Sequence, residues 1–253
     1  MSAQAYFITG TNRGIGLELV KAFSNLNKSN IIIATVRDLS RAEELKELSV
    51  ANPNIKIIQL DVGDEESIGK IDEQLEALGI KGIDVYINNG ALGDSFDSLF
   101  KTESKTFYDH FRVNTIGPIL TVQKLYKYLL AKQTRKIVFI STMGASLSNF
   151  QAINTTAYGE SKAALNHAVL QFGSELKHEN FIVVPIHPGV VETDMAEHSL
   201  KSFKERGPAV MDMLLGQMIT SEVSATSIAK LVESLKPEDS GKFYNYKGDD
   251  EAY

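Results

Sequence analysis

Short apolar runs recur along this chain, separated by longer amphipathic segments, and that alternation limits the folds open to it. The runs are Ala5–Thr9, Ile31–Val36, Ile55–Leu60, Ile83–Ile87, Lys136–Ile140, Phe181–His187 and Lys242–Tyr246. Most are near-continuous Ile/Val stretches without polar alternation, as strands covered on both faces require. Strand–helix–strand units of this length make right-handed crossovers, so the pattern predicts an α/β, doubly wound, seven-stranded parallel sheet with helices on both faces. Ser40 followed by Glu43 predicts a capping box for a helix over Ala42–Val50, and Asp64 predicts the cap of the next helix. No Pro/Gly/Ser linker, composition shift or internal repeat interrupts the pattern, so residues 1–253 are expected to form one domain.

The first run ends in Thr9-Gly10-Thr11-Asn12-Arg13-Gly14-Ile15-Gly16 and then enters a helical segment. A glycine turn between a strand and a helix N-terminus is suited to a pyrophosphate. Glycines admit the ligand close to the backbone, and the first helical turn offers unpaired N–H groups and partial positive charge. Glycine turns also arise for conformational reasons alone, so position and context carry this reading. Composition removes other classes. A net charge of −6 disfavours a nucleic-acid groove or an anionic membrane surface. The absence of cysteine excludes disulfides, thiolate zinc sites and a Cys nucleophile. His110, His167, His178, His187 and His198 show no metal-ligand spacing, and no Gly-x-Ser-x-Gly elbow is present. With no secretory n-region and no apolar run of about 18 residues, a cytoplasmic location is expected.

Ligands of doubly wound sheets lie outside the C-terminal strand ends, and further motifs fall there. Asp61-Val62 follows the third run and Asn88-Asn89-Gly90-Ala91 the fourth. Ser141 ends the fifth, and Tyr158-Gly159-Glu160-Ser161-Lys162 opens the next helix. Pro188-Gly189-Val190-Val191-Glu192-Thr193 follows the sixth. Together with the glycine turn, this order closely resembles the short-chain dehydrogenase/reductase family, in particular its carbonyl-reductase-like members, over nearly the whole chain. The resemblance implies a Rossmann-type fold. It gives Tyr158 the acid/base role, Lys162 the nicotinamide ribose, Ser141 the substrate carbonyl, and Asn114 a backbone-held water in a proton relay. It also implies that Gly10, Asn12, Arg13, Gly14, Ile15, Gly16, Asp61, Val62, Asn88, Asn89, Gly90, Pro188, Gly189, Val191 and Thr193 bind the cofactor, with Tyr158 and Lys162 beside it. Two departures stand out: the family's usual Asn-Asn-Ala-Gly is reordered here, and the serine-to-tyrosine separation is long.

Several readings rest on the residues themselves. Tyr158 and Lys162, four apart on a helix, share a face, and an ammonium near a phenol lowers its pKa from about 10. Tyr128 and Lys132 repeat the spacing with no other site feature near them, and are expected to be an ordinary helix face. Pro118 has no N–H for the carbonyl of Asn114, so the helix over Phe107–Leu130 is expected to kink there. No acid precedes Asp38 at the end of the second run, whereas Arg37 and Arg13 suit a 2′-phosphate, so NADPH is the expected cofactor. The expected activity is reduction of a fairly apolar ketone, diketone or aldehyde. By the resemblance, a segment at about 194–220 covers the substrate; it is Met/Leu-containing, with Lys201, Lys204 and Arg206 as its basic residues. A catalytically weak NADPH-binding regulator or partner-binding protein on the same fold is the alternative. By resemblance, the long helices around Phe107–Leu130 and Thr156–His178 pair between copies, giving a homodimer or homotetramer with Ala163, Ala164, Ala168 and Phe172 at the contact.

Overall fold

The computed structural model describes residues 3–150, 155–196 and 215–253. In chain order the described elements are β1 (Ala5–Ile8), α1 (Gly14–Leu26), β2 (Ile31–Val36), α2 (Glu43–Ala51), β3 (Ile55–Gln59), α3 (Glu65–Gly69) and α4 (Ile71–Ala77). They continue with β4 (Val85–Asn88), α5 (Ser104–Phe111), α6 (Gly117–Leu130), β5 (Lys136–Ile140), α7 (Thr156–Glu175) and β6 (Ile182–His187). The last are β7 (Val190–Val191), β8 (Met218–Ile219), α8 (Ser221–Ser234), β9 (Phe243–Asn245) and β10 (Asp250–Glu251).

The main sheet has eight strands in the order β10-β9-β6-β5-β4-β1-β2-β3, all parallel except β10. The expected seven parallel strands are therefore present, and an eighth joins them. Asp250–Glu251 runs antiparallel to β9, because the Asn245 side chain accepts from the N–H groups of Lys247 and Asp249 and shapes the turn. A two-residue acidic strand has no apolar signal by which the sequence could announce it. The expected strand at Ile83 starts later, since the Asp84 carboxylate caps the β1 edge by accepting from Ala5 N (2.9 Å).

Helices cover both faces. One apolar layer sets Leu19, Val20 and Phe23 of α1 and Ile228 and Val232 of α8 against Tyr6, Ile32, Val85 and Val184. The other sets Val122, Leu125 and Leu129 of α6 and Leu165 and Val169 of α7 against Phe7, Ile33, Tyr86 and Val183. Each fully buried aliphatic side chain contributes about 1.5–3 kcal/mol, so the strand ends rest on a rigid frame. Asp64 caps α3 as expected, accepting from Glu66 N (3.1 Å). The Ser40/Glu43 box does not form. Ser40 donates its hydroxyl (2.7 Å) and N–H (2.9 Å) to Asp38, which caps a 3-10 turn at 39–41, and α2 starts after Ala42 with no side-chain cap. The kink expected near Asn114 is a π-turn, Arg112–Ile116, in which Gly117 N–H reaches the Arg112 carbonyl.

Candidate active site

The sheet order reverses between β1 and β4, and a crevice opens where neighbouring crossovers leave in opposite directions. Thr9 holds the two strand ends together. Its N–H donates to the Ile87 carbonyl (3.0 Å), and its hydroxyl accepts from both Asn89 N and Gly90 N (3.0 Å each). Asn89 Nδ2 returns two bonds of 3.0 Å to the carbonyls of Thr9 and Gly10. Gly10 and Gly14 adopt φ of +68° and +56°. A Cβ on Gly16 would lie 2.1 Å from the Gly10 carbonyl oxygen. Arg13 gives α1 no side-chain cap, and no acid occupies its first turn, so Ile15 and Gly16 begin a helix end open to an anion. This cradle fits a dinucleotide pyrophosphate.

The reordered Asn-Asn-Gly-Ala carries no backbone strain. Gly90 is not among the positive-φ residues, and a Cβ there would meet only ordinary contacts at 3.4 Å and beyond. Asn88 is fully buried; its Oδ1 accepts from Tyr86 Oη (3.2 Å), and its Nδ2 has no partner. Asp61 and Val62 follow β3, where the Asp61 carboxylate accepts from Gly63 N (2.8 Å) and Val62 packs against Gly117. Across the crevice, Pro188 accepts from Ser224 Oγ (2.7 Å), and Gly189 turns at φ +90°. Val191 is buried in β7, and Thr193 Cγ2 lies 3.4 Å from where a Gly14 Cβ would be. Arg37 is exposed beyond β2. Arg13 forms an ion pair with Asp194, which joins the glycine turn to the segment after β7. Arg41 was missed in the sequence; its carbonyl accepts from Asn12 Nδ2 (3.5 Å), which sets a third guanidinium-bearing residue at this mouth.

The candidate reacting groups gather at the ends of β4 and β5. Asn114, fully buried in the π-turn, donates from Nδ2 to the Leu92 carbonyl (2.8 Å) and to Ser161 Oγ (3.0 Å), and accepts from Leu92 N (2.8 Å). It ties the loop after β4 to α7. Thr156 ties the same loop by donating to the Asp97 carbonyl (3.1 Å), which brings Phe96 to 6.0 Å from the Tyr158 ring. Met195 covers Gly93 from the other side. Tyr158 is pushed up to about 12 by burial, with the Thr142 hydroxyl opposing the shift. Lys162 donates to the Ile140 carbonyl (2.7 Å), and burial lowers it to about 7. The downward shift expected for Tyr158 from Lys162 is therefore not what this geometry gives: the amine is held on β5, and desolvation of the phenol dominates. Ser141 Oγ donates to Asn166 Oδ1 (2.6 Å), away from solvent. Thr142 and Asn166, neither singled out in the sequence, thus belong to the site. Only the tertiary register of β5 on α7 identifies them.

The second Tyr-x-x-x-Lys pair stays apart, as expected. Tyr128 interacts with Asp72, and Lys132 leaves α6 to pair with Asp84 (3.1 Å). Phe172 stacks on Phe139 of its own sheet. Among the described residues no acidic, His or Cys group could hold a metal, and no helix is long and apolar enough to cross a membrane.

The profile of the short chain dehydrogenase family matches residues 4–203. The chain belongs to that family. An uncharacterised oxidoreductase of Saccharomyces cerevisiae is 40% identical over 252 residues, covering 98% of this chain and 97% of the relative. Among solved structures, the NADPH-bound carbonyl reductase from chicken fatty liver superposes with a TM-score of 0.88 at 27% identity, covering 100% of this chain and 95% of that one. The carbonyl reductase Sniffer of D. melanogaster gives 0.87 at 26% identity, with complete coverage of both chains. This short-chain dehydrogenase is accordingly an oxidoreductase.

Proposed function

We propose that the protein is an NADPH-dependent carbonyl reductase acting on a fairly apolar ketone, diketone or aldehyde. The observation that carries this reading is the placement of the Tyr158 phenol beside the Thr142 hydroxyl and the buried Lys162 amine, next to a dinucleotide cradle. With its proton held to about pH 12, Tyr158 is an acid at neutral pH, the form needed to protonate a carbonyl oxygen during reduction. A hydroxyl from the Ser141-Thr142 pair polarises that oxygen. Lys162 and Asn114 align α7 against β5 and the loop after β4, and Phe96 and Met195 exclude water from the reacting face. When bound, NADPH supplies the hydride that the carbonyl carbon accepts.

The 2′-phosphate reading is supported by Arg13, Arg37 and Arg41, and by Asp38, whose carboxylate is engaged by Ser40. Phe96 and Met195 favour an apolar substrate. Of the covering segment at 194–220, residues 197–214 lie outside the described residues, including Lys201, Lys204, Arg206, Met211, Met213 and Leu214. The reading further includes a cytoplasmic location and a homodimer or homotetramer. Light scattering at micromolar concentration then gives a multiple of 27.9 kDa, and a monomer alone refutes the assembly. The function itself is tested by following NADPH oxidation with neutral carbonyls and with phosphorylated or carboxylated ones of similar size. Higher kcat/KM for the neutral set is expected. Preference for anions refutes the apolar pocket, and NADPH binding without turnover on either set favours the regulator reading.

A further inference from the structure

The loop between β4 and α5 is tied down one residue at a time, and one of its ties ends on a histidine. Leu92 exchanges two bonds of 2.8 Å with the Asn114 side chain, and Met195 lies over Gly93, where a Cβ would come within 2.5 Å of its Sδ. Ser95 donates to the Thr156 hydroxyl (3.2 Å), and Phe96 reaches the Tyr158 ring at 6.0 Å. Asp94, between them, is exposed, and its Oδ1 lies 3.3 Å from His110 Nε2. His110 sits on α5 and is fully buried, at a position that a helix ordinarily fills with an apolar side chain.

The two ring nitrogens have separate tasks. Nδ1 lies 2.8 Å from the Thr106 carbonyl oxygen, one turn back on α5. A carbonyl can only accept, so Nδ1 keeps its proton in both charge states of the ring. Nε2 is shielded from solvent and has no hydrogen-bond partner among the described residues. Its proton decides what Asp94 meets. Without it, a nitrogen lone pair faces a carboxylate oxygen; with it, the ring is an imidazolium and the contact becomes an ion pair. The neighbouring charges are otherwise engaged. On α5, Lys105 pairs with Asp109, and Arg112 of the π-turn reaches the same carboxylate at 3.4 Å. On α7, which packs against α5, Lys162 is held at the Ile140 carbonyl, and burial pushes the Tyr158 phenol and the Glu160 carboxyl up. Among the described residues, Asp94 is the carboxylate within ion-pair reach of Nε2.

We propose that His110 is a positioning residue whose protonated ring clamps Asp94 and so sets the loop after β4 as the wall over the substrate. His110 engages Thr106 and Asp94 rather than the groups around Tyr158. It acts through Gly93 and Phe96, which flank Asp94 and meet Met195 and the Tyr158 ring. The effect on substrate rests on the carbonyl-reductase reading; the clamp on the loop does not.

The test separates the two nitrogens. Glutamine places its amide nitrogen near the Nε2 position and asparagine near Nδ1. His110→Gln therefore keeps a donor toward Asp94, and His110→Asn keeps only the one toward Thr106. With NADPH and 1-phenyl-1,2-propanedione as the probe, His110→Asn and Asp94→Ala should each raise KM about tenfold and change kcat less than about twofold, the loss expected of one charged contact. Asp94 is exposed, so its variant breaks the same tie without opening the core. The double variant should lose no more than either alone, and His110→Gln should restore most of the loss. KM of the unchanged protein should rise with pH more steeply than that of His110→Gln. Equal KM increases in His110→Gln and His110→Asn, additive losses, or one pH profile for the unchanged protein and His110→Gln overturn the proposal, because packing alone gives those results. If the unchanged protein turns over no carbonyl, the carbonyl-reductase reading fails separately, and hydrogen–deuterium exchange decides the clamp. Exchange over residues 91–98 should speed up at least about threefold in His110→Asn and Asp94→Ala but not in His110→Gln. Unaltered exchange in Asp94→Ala overturns the clamp.

Discussion

Replacing Gly16 by alanine separates the demands of the phosphate cradle from those of the helix it opens. In isolation the change favours α1, because alanine exceeds glycine in helix interiors by about 1 kcal/mol. The added Cβ, however, would sit 2.1 Å from the Gly10 carbonyl oxygen and 2.6 Å from Asn89 Nδ2. Both atoms belong to the clamp between β1 and β4, so neither retreats freely. Overpacking of this kind costs about 1–3 kcal/mol, and loosening the Asn89 bonds adds about 1 kcal/mol. The net expectation is a loss of about 2 kcal/mol, which lowers Tm by about 4–8 °C for a chain of this size. NADPH binding should weaken at least about tenfold, or 1.4 kcal/mol, since the turn that receives the pyrophosphate must move. Gly90→Ala is the control: it meets no contact under 3.4 Å and needs no positive φ. It should leave Tm unchanged or raise stability by about 0.4–1 kcal/mol. Thermal unfolding by circular dichroism, with and without NADPH, measures both. A Gly16→Ala protein that matches the unchanged one, or a Gly90→Ala protein that falls as far, refutes this account of the cradle.

NADPH should bind at least about tenfold more tightly than NADH, and Arg37→Asp should erase or reverse that order; equal dissociation constants in the unchanged protein defeat the 2′-phosphate argument. Tyr158→Phe should abolish turnover while leaving NADPH binding largely intact, whereas Tyr128→Phe should leave turnover near normal; wild-type rates in the first variant rule out the acid role. Burial lowers Lys162 from 10.5 to about 7, so between those values the unfolded chain binds more protons and stability from this group rises with pH. Lys162→Met should therefore gain stability relative to the unchanged protein near pH 7, and that advantage should shrink by pH 10. Parallel urea midpoints across this range would contradict the buried amine.

The strands were legible because Ile and Val mark segments buried on both faces. The order of motifs at their ends located the crevice. The helix starts were less so. Ser40 and Glu43 have capping-box spacing, but Asp38 competes for the Ser40 N–H and hydroxyl and wins them through a tighter local turn. The proline offset predicted a break at Asn114, yet not its form: the π-turn lets a single amide reach both Leu92 and Ser161. Ser141 and Thr142 are equally polar and adjacent in the sequence. Their different partners depend on how β5 sits against α7, a register set by side chains far along the chain. The balance between Tyr158 and Lys162 was hidden for the same reason, because spacing puts both on one helix face but does not say which carbonyl captures the amine.

The antiparallel β10 has a consequence for how copies of this chain meet. An unpaired parallel strand exposes a ladder of donors and acceptors that another sheet can extend. Here β9 is covered, and its cover is a two-residue strand carrying Asp250 and Glu251, with the Asn245 amide donating to Glu251 (2.9 Å). Two such rims brought together would oppose carboxylate to carboxylate across a ladder too short to repay the repulsion. That end of the sheet is closed to fibre-like growth, so edge-to-edge extension through β9 is not open to this chain.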